Sequence, residues 1–195
     1  TPGLEAFVSS VPLEGVNDLK GLKLRAPAGL VQNIFAAAGA SPVNLPTSEV
    51  FTALDKGVVD AADYSVFHVN QAQGLNEIAK HPVFPGFHSM PLIEFSMNKQ
   101  KWDALSEDVQ KTLEESVVEL AQRQNAALAD KNSKAVEEAK AQGATIHDWS
   151  DEERAMFRKI AIGEWEKQAS QSENAQKVYD TLTTYLEKEG LLAAQ

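Results

Sequence analysis

With 195 residues, 43% of them apolar and 24% charged, the chain has material for a packed core and is not disordered. The formal net charge of −10 argues against a nucleic-acid surface, which needs a basic stripe. The absence of cysteine excludes a disulfide framework, a thiol nucleophile and a Cys-ligated zinc.

In chain order, residues 1–20 read as irregular, punctuated by Pro2, Pro12 and Gly15. Asp18 to Gly21 reads as a turn into a first strand, Leu22–Arg25, which runs into a second turn at Pro27 and Gly29. Leu30–Ala38 is helical in composition, with Gly39 as its stop. Ser41–Pro46 is short and proline-bounded, a second strand. Thr47 or Ser48 can cap a helix over Glu49–Lys56, and Val58–Tyr64 is a third apolar strand. Strand, helix, strand, helix, strand at this spacing is the pattern of a parallel α/β unit.

Val66–Ala79 reads as mainly helical and His81–His88, with two prolines and a glycine, as extended or looped. Pro91–Asn98 is dense in apolar residues and predicts a central strand buried on both faces. Ser106–Gln142 has neither Gly nor Pro and predicts one long helix, its stripe of Val109, Leu113, Val117 and Leu120 thinning later to alanines. Thr145–His147 could form one last short strand. Ser150–Glu153 is a capping box, the serine reaching forward and Glu153 reaching back, and opens a helix to about Ser170. A final helix, about Asn174 to Lys188, carries Val178, Leu182, Tyr185 and Leu186 on one side. That side either packs on its own lobe or docks on a second subunit.

No metalloprotease helix, nucleophile elbow or phosphate loop is present, so nothing in the motifs supports catalysis. The strand ends carry the better signal. Arg25, then Thr47 and Ser48, then Asp63 and Tyr64 each follow an apolar run, and in a parallel sheet such ends share one edge. A planar guanidinium fits a carboxylate, hydroxyls can satisfy further oxygens, and a tyrosine can cover a carbon skeleton. Plain alternatives stand beside each role. Asp63 can neutralise Arg25, Thr47 and Ser48 can cap, Tyr64 can be core, and His88 can be a surface loop residue.

The ordered runs Asp18–Pro27, Gly39–Pro46, Ser48–Leu54 and Gly57–Tyr64, with Met97–Ser106 after them, closely resemble the solute-binding proteins of tripartite ATP-independent periplasmic (TRAP) transporters, the DctP-type family. The likeness covers essentially the whole chain. It implies an α/β, periplasmic-binding-protein-like fold of two lobes with a long connecting helix, the N-terminal lobe largely missing here. Residues 1–90 would form the carboxylate-binding lobe, 91–142 a strand and long helix crossing to the other lobe, and 143–195 helices that pack back or mediate a homodimer. The resemblance assigns the ligand carboxylate to Arg25 and lines the site with Tyr64. Thr47, Asp63, Phe87 and His88 complete the expected set.

In the members that bind 2-oxo acids the run matching Gly57–Tyr64 usually ends Glu-Trp, and the glutamate helps to hold a metal ion beside the ligand. Here Asp63-Tyr64 stands instead, and Phe87-His88 replaces a further acid. A calcium or sodium ion at Asp63 is therefore carried as an expectation weakened by those changes. Ala28 argues against a sialic acid. The implied function is capture of a small organic acid, a 2-oxo or hydroxy monocarboxylate favoured, in the periplasm for TRAP permease subunits, without chemistry. The alternative is an α/β enzyme that uses Asp63 and His88 as an acid–base pair. Family members are longer at the N-terminus, so the chain reads as a C-terminal portion, expected to bind ligand weakly alone and to expose apolar surface along Pro91–Asn98.

Overall fold

The computed structural model describes residues 4–89 and 94–192. Four strands form one sheet in the order β1-β4-β2-β3: β1 (Ala6–Ser9), β2 (Lys23–Arg25), β3 (Ser41–Val43) and β4 (Ala61–Ser65). β4 and β2 run parallel, as do β2 and β3, whereas β1 lies antiparallel on the outer side of β4. The three parallel strands are those the spacing predicts, shortened at their ends. β1 falls in the stretch expected to be irregular. All four of its residues are buried, so it shows none of the alternation that marks a half-exposed strand.

Helices cover both faces of the sheet. On one, α1 (Leu30–Ala37) and α7 (Asp151–Ala169) enclose a core of Phe7, Leu24, Phe35, Trp149 and Phe157. On the other, α2 (Val50–Asp55) and α4 (Leu75–Ile78) pack Val50, Leu54 and Leu75 against Val8 and Ala62. The single helix expected over Val66–Ala79 is two, α3 (Phe67–Ala72) and α4, because Gly74 sits at φ 74° and breaks the run.

The Pro91–Asn98 strand is not formed where it can be seen. Residues 94–98 are irregular, Phe95 and Met97 are 65% and 53% exposed, and residues 90–93 lie outside the described ones. A strand needs a ladder partner, and among the described residues none pairs with this segment. A short helix, α5 (Lys99–Asp103), follows, capped by the Asn98 side chain. α6 (Glu107–Ala141) is the long helix, 35 residues and so about 52 Å. Its alanine-rich part docks closely: Ala135 and Ala139 pack with Phe67 and Ala6. Its earlier stripe of Val109, Leu113, Val117 and Leu120 stays exposed.

Ser150 caps α7 as expected, accepting from the Glu153 amide at 3.3 Å, but Glu153 does not reach back. Its carboxylate accepts instead from the Val16 amide at 2.6 Å, the first free donor of a 3-10 turn, Val16–Leu19. Gly15 permits the approach, since a Cβ there would collide with that carboxylate. One acid in the first turn of each of α6 and α7 is stabilised as the anion. Asp108 is held below the usual carboxylate range chiefly by the Ser106 hydroxyl, and Glu152 chiefly by its own backbone amide. The Thr145–His147 strand reduces to one bridge, between Val83 and His147. There a string of side chains ties three loops: His81 Nδ1 lies 3.1 Å from His147 Nε2, and His147 Nδ1 lies 2.7 Å from Glu14. α8 (Glu173–Lys188) packs on α7, with Val178 and Tyr185 largely exposed. No helix of the described residues is long and apolar enough to cross a membrane.

Phe35 contacts the rings of Phe7, Phe87, His88 and Phe157 at the centre of the first core. Phe35→Ala is expected to lower unfolding stability by about 3–5 kcal/mol in urea denaturation, as loss of a buried aromatic does.

Candidate functional site

The site is built where β2 and β4 end. Strand register sets Arg25 beside Ala62 and Asp63 opposite Phe7, so Arg25 and Tyr64 leave the sheet on one face and Asp63 on the other. The pairing of β1 with β4 shifts between Ala6 and Phe7, a bulge that leaves Tyr64 without a partner across the ladder. Tyr64 packs beside the second core, half-buried.

Arg25 is 8% exposed. Its Nε donates to the Leu45 carbonyl at 3.1 Å and its Nη1 to the Asp63 carbonyl at 2.5 Å. Among the described residues no carboxylate lies within ion-pair distance of it. Asp63 therefore does not neutralise Arg25; it orients it through its backbone. Burying a guanidinium without a counter-charge is costly, and an anion arriving at its remaining donors would recover that cost.

The Asp63 carboxylate, itself buried, faces His88, whose Nε2 lies 3.4 Å from Asp63 Oδ1 and 3.7 Å from Glu5 Oε2. The His88 side chain is 1% exposed, so it is no surface loop residue, and among the described residues neither ring nitrogen has a hydrogen-bond partner. Glu5, Asp63 and His88 offer donor atoms that all lie within 4.8 Å of one another. The loop bearing His88 is held from behind. Arg154 of α7 donates to the Pro85 and Gly86 carbonyls at 2.7 and 2.8 Å, and Phe87 stacks on Trp149 with ring centroids 3.7 Å apart. From the front, the Gly86 amide donates to the Glu5 carbonyl at 2.8 Å.

The expected residues thus fall into three groups. Arg25 and Asp63 meet through the backbone, and Asp63 and His88 through side chains. Phe87 lines the wall against Trp149. Thr47 and Ser48 do not cap α2. They form a 3-10 turn, Thr47–Glu49, ahead of it, exposed and without side-chain hydrogen bonds. Glu5 was not among the sequence candidates. The one available signal was its place just before Ala6–Ser9, had that run been read as a strand.

The fold is that of a known class. A profile of bacterial extracellular solute-binding protein, family 7 (DctP) matches residues 2–172, and the chain belongs to that family. It is 28% identical over 169 residues to a monocarboxylate 2-oxoacid-binding periplasmic protein of Nostoc sp., covering 86% of this chain and 46% of that protein. It is 32% identical over 160 residues to the C4-dicarboxylate-binding periplasmic protein DctP of Rhodobacter capsulatus, covering 81% of this chain and 47% of that one. The chain therefore spans about half the length of these relatives. A TRAP periplasmic solute-binding protein of Rhodobacter sphaeroides, in an apo open structure, is 66% identical at a TM-score of 0.88, over 100% of this chain and 62% of that one. A further neighbour, from Pseudoalteromonas atlantica with bound sodium and pyruvate, shares the fold at 24% identity and a TM-score of 0.77, over 96% and 57% of the two chains.

The loop geometry gives a test that needs no ligand. A Cβ on Gly86 would run into the Glu5 carbonyl. Gly86→Ala is expected to cost about 1–3 kcal/mol of stability, as overpacking against backbone does. Amide exchange should rise at the Gly86 amide and along β1; unchanged exchange there would mean that the loop does not close on β1.

Proposed function

We propose that the whole protein is the periplasmic solute-binding component of a TRAP transporter, which captures a small organic carboxylate and hands it to the membrane permease. The observation that carries the reading is Arg25, buried, oriented by two backbone carbonyls and lacking an acidic partner among the described residues. One guanidinium supplies one bidentate carboxylate contact. That favours a 2-oxo or hydroxy monocarboxylate over a dicarboxylate, in line with the Nostoc relative rather than the R. capsulatus one. Tyr64 and Thr47 stand at the same edge of the sheet to meet the rest of the ligand, with Phe87 in the wall behind His88.

A cation beside the ligand belongs to this reading. A buried Asp63, a partly buried Glu5 and an imidazole without a hydrogen-bond partner among the described residues fit a metal ion, which Asp63, Glu5 and His88 would hold and which would supply positive charge toward a ligand oxygen. In the proposed arrangement residues 1–90 are the ligand-binding lobe and 91–142 cross to the other lobe. The exposed stripe of α6, with Phe95 and Met97, is then surface that the rest of the longer protein covers. Closure around the ligand would be a hinge motion between lobes. Residues 143–195 pack back on the first lobe through α7, and the reading does not include the expected homodimer through α8. The acid–base alternative for Asp63 and His88 is not kept, because the chain belongs to a family of binding proteins.

A thermal-shift panel of organic acids on the whole protein tests the proposal. A monocarboxylate should raise the melting temperature in proportion to the logarithm of its concentration. In Arg25→Ala its affinity should fall about 100-fold or more, the scale of two charge-assisted hydrogen bonds. Equal shifts in both proteins would make Arg25 a purely structural residue.

A further inference from the structure

The group of Glu5, Asp63 and His88 invites a choice of ion that the resemblance does not make. A cluster of acids alone says little, since exposed acids gather on many surfaces. This one encloses an imidazole whose side chain is 1% exposed and whose two nitrogens both lack a hydrogen-bond partner among the described residues. Buried polar atoms are satisfied in nearly all folded proteins, so an orphaned ring between two acids marks a place for one more atom. The acids do not fill that place. They approach Nε2 at 3.4 and 3.7 Å, yet neither meets hydrogen-bond geometry with it.

The spacing limits what fits. Two separations of 3.4 and 3.7 Å, with all three donor atoms within 4.8 Å of one another, are compatible with one ion bonded to all three. The donor set narrows the choice further. Calcium and sodium are hard ions that take shells of oxygen, whereas an imidazole nitrogen favours zinc and its first-row neighbours. The rings of Phe7, Phe87 and Phe35, with centroids 5.1, 5.4 and 6.0 Å from that of His88, make one wall of the seat apolar. An apolar wall keeps water from competing for the ion.

We infer that Glu5, Asp63 and His88 form a seat for a divalent first-row transition ion, manganese or zinc, which it prefers to calcium or sodium. The role of such an ion rests on the transport reading, but its binding does not need an organic acid to be measured.

The test is calorimetric titration of the whole, chelator-stripped protein with MnCl2, ZnCl2, CaCl2 or NaCl, without any acid. One equivalent of manganese or zinc should bind at least about 100-fold more tightly than calcium. The His81–His147 pair, whose nitrogens are 3.1 Å apart, is the competing zinc site, and a His81→Gln background removes it. In that background Glu5→Gln should weaken every ion, while His88→Gln should abolish the preference for manganese or zinc and leave calcium little changed. Should His88→Gln fail to fold, electron spin-echo spectroscopy of the manganese-loaded unmutated protein reads the bond directly, through modulation from one imidazole nitrogen. The inference falls if calcium binds as tightly, if no ion binds, or if no nitrogen modulation appears. Acid binding by the stripped protein at full affinity would sink the ion's role and leave the transport reading standing. Ion binding without any acid response would sink the transport reading, and the ion's role with it, and leave the seat itself standing.

Discussion

The guanidinium of Arg25 is anchored on backbone oxygens, and much of the site depends on that choice of partner. A carboxylate in the same position would orient the group and cancel its charge together, closing the site on itself. The carbonyls of Leu45 and Asp63 orient it while leaving the positive charge available. Holding it there requires the parallel pairing of β2 with both β3 and β4, because Leu45 follows β3 and Asp63 lies in β4. Asp63 then serves twice: its backbone fixes the arginine and its side chain, on the other face of the sheet, faces His88. In the proposed function one strand residue thus couples a carboxylate-binding group to an ion-binding one without letting the two neutralise each other.

The sheet was readable where it is local. Leu22–Arg25, Ser41–Pro46 and Val58–Tyr64 each stop at proline, glycine or an acid, and each leads into a helix, so strand ends and candidate residues could be placed from spacing alone. Glu5 and His88 were harder for one shared reason: what places them is distant in sequence. β1 is four buried residues that pair with a strand more than fifty positions later. His88 follows two prolines and a glycine, a composition that reads as exposed loop. It is buried because Arg154 holds the preceding carbonyls, Trp149 stacks on Phe87, and Gly86 lets the chain close on Glu5. The capping box fails in the same way: Ser150 acts locally as read, whereas Glu153 is taken by the amide of Val16.

The long helix shows composition acting as a record of environment. Near Ala135 and Ala139 small side chains let α6 pack against Phe67 and Ala6. Toward its start the same helix carries Val109, Leu113, Val117 and Leu120 at exposures of 37–46%. A stripe at helical spacing loses the hydrophobic stabilisation of its own pattern when left in water. The two ends of α6 are thus matched to two different neighbours, of which the described residues supply one.

On the proposed function a chain of net charge −10 captures an anion against an adverse field, and the range of that field decides how it is overcome. Surface charges act through water and salt and are largely screened beyond about 8 Å at physiological ionic strength. A buried group is screened far less: at an effective dielectric of about 20, two unit charges 4 Å apart interact by about 4 kcal/mol. Arg25 therefore outweighs the distant acids for a ligand that touches it. The nearby acids are the harder opposition, because Glu5 and Asp63 are themselves shielded from water. A divalent ion held between them cancels their two negative charges, so the ligand at Arg25 no longer meets that opposition from the other face of the sheet. On this argument the acids at the site are not an obstacle to anion binding but the means of placing a second cation.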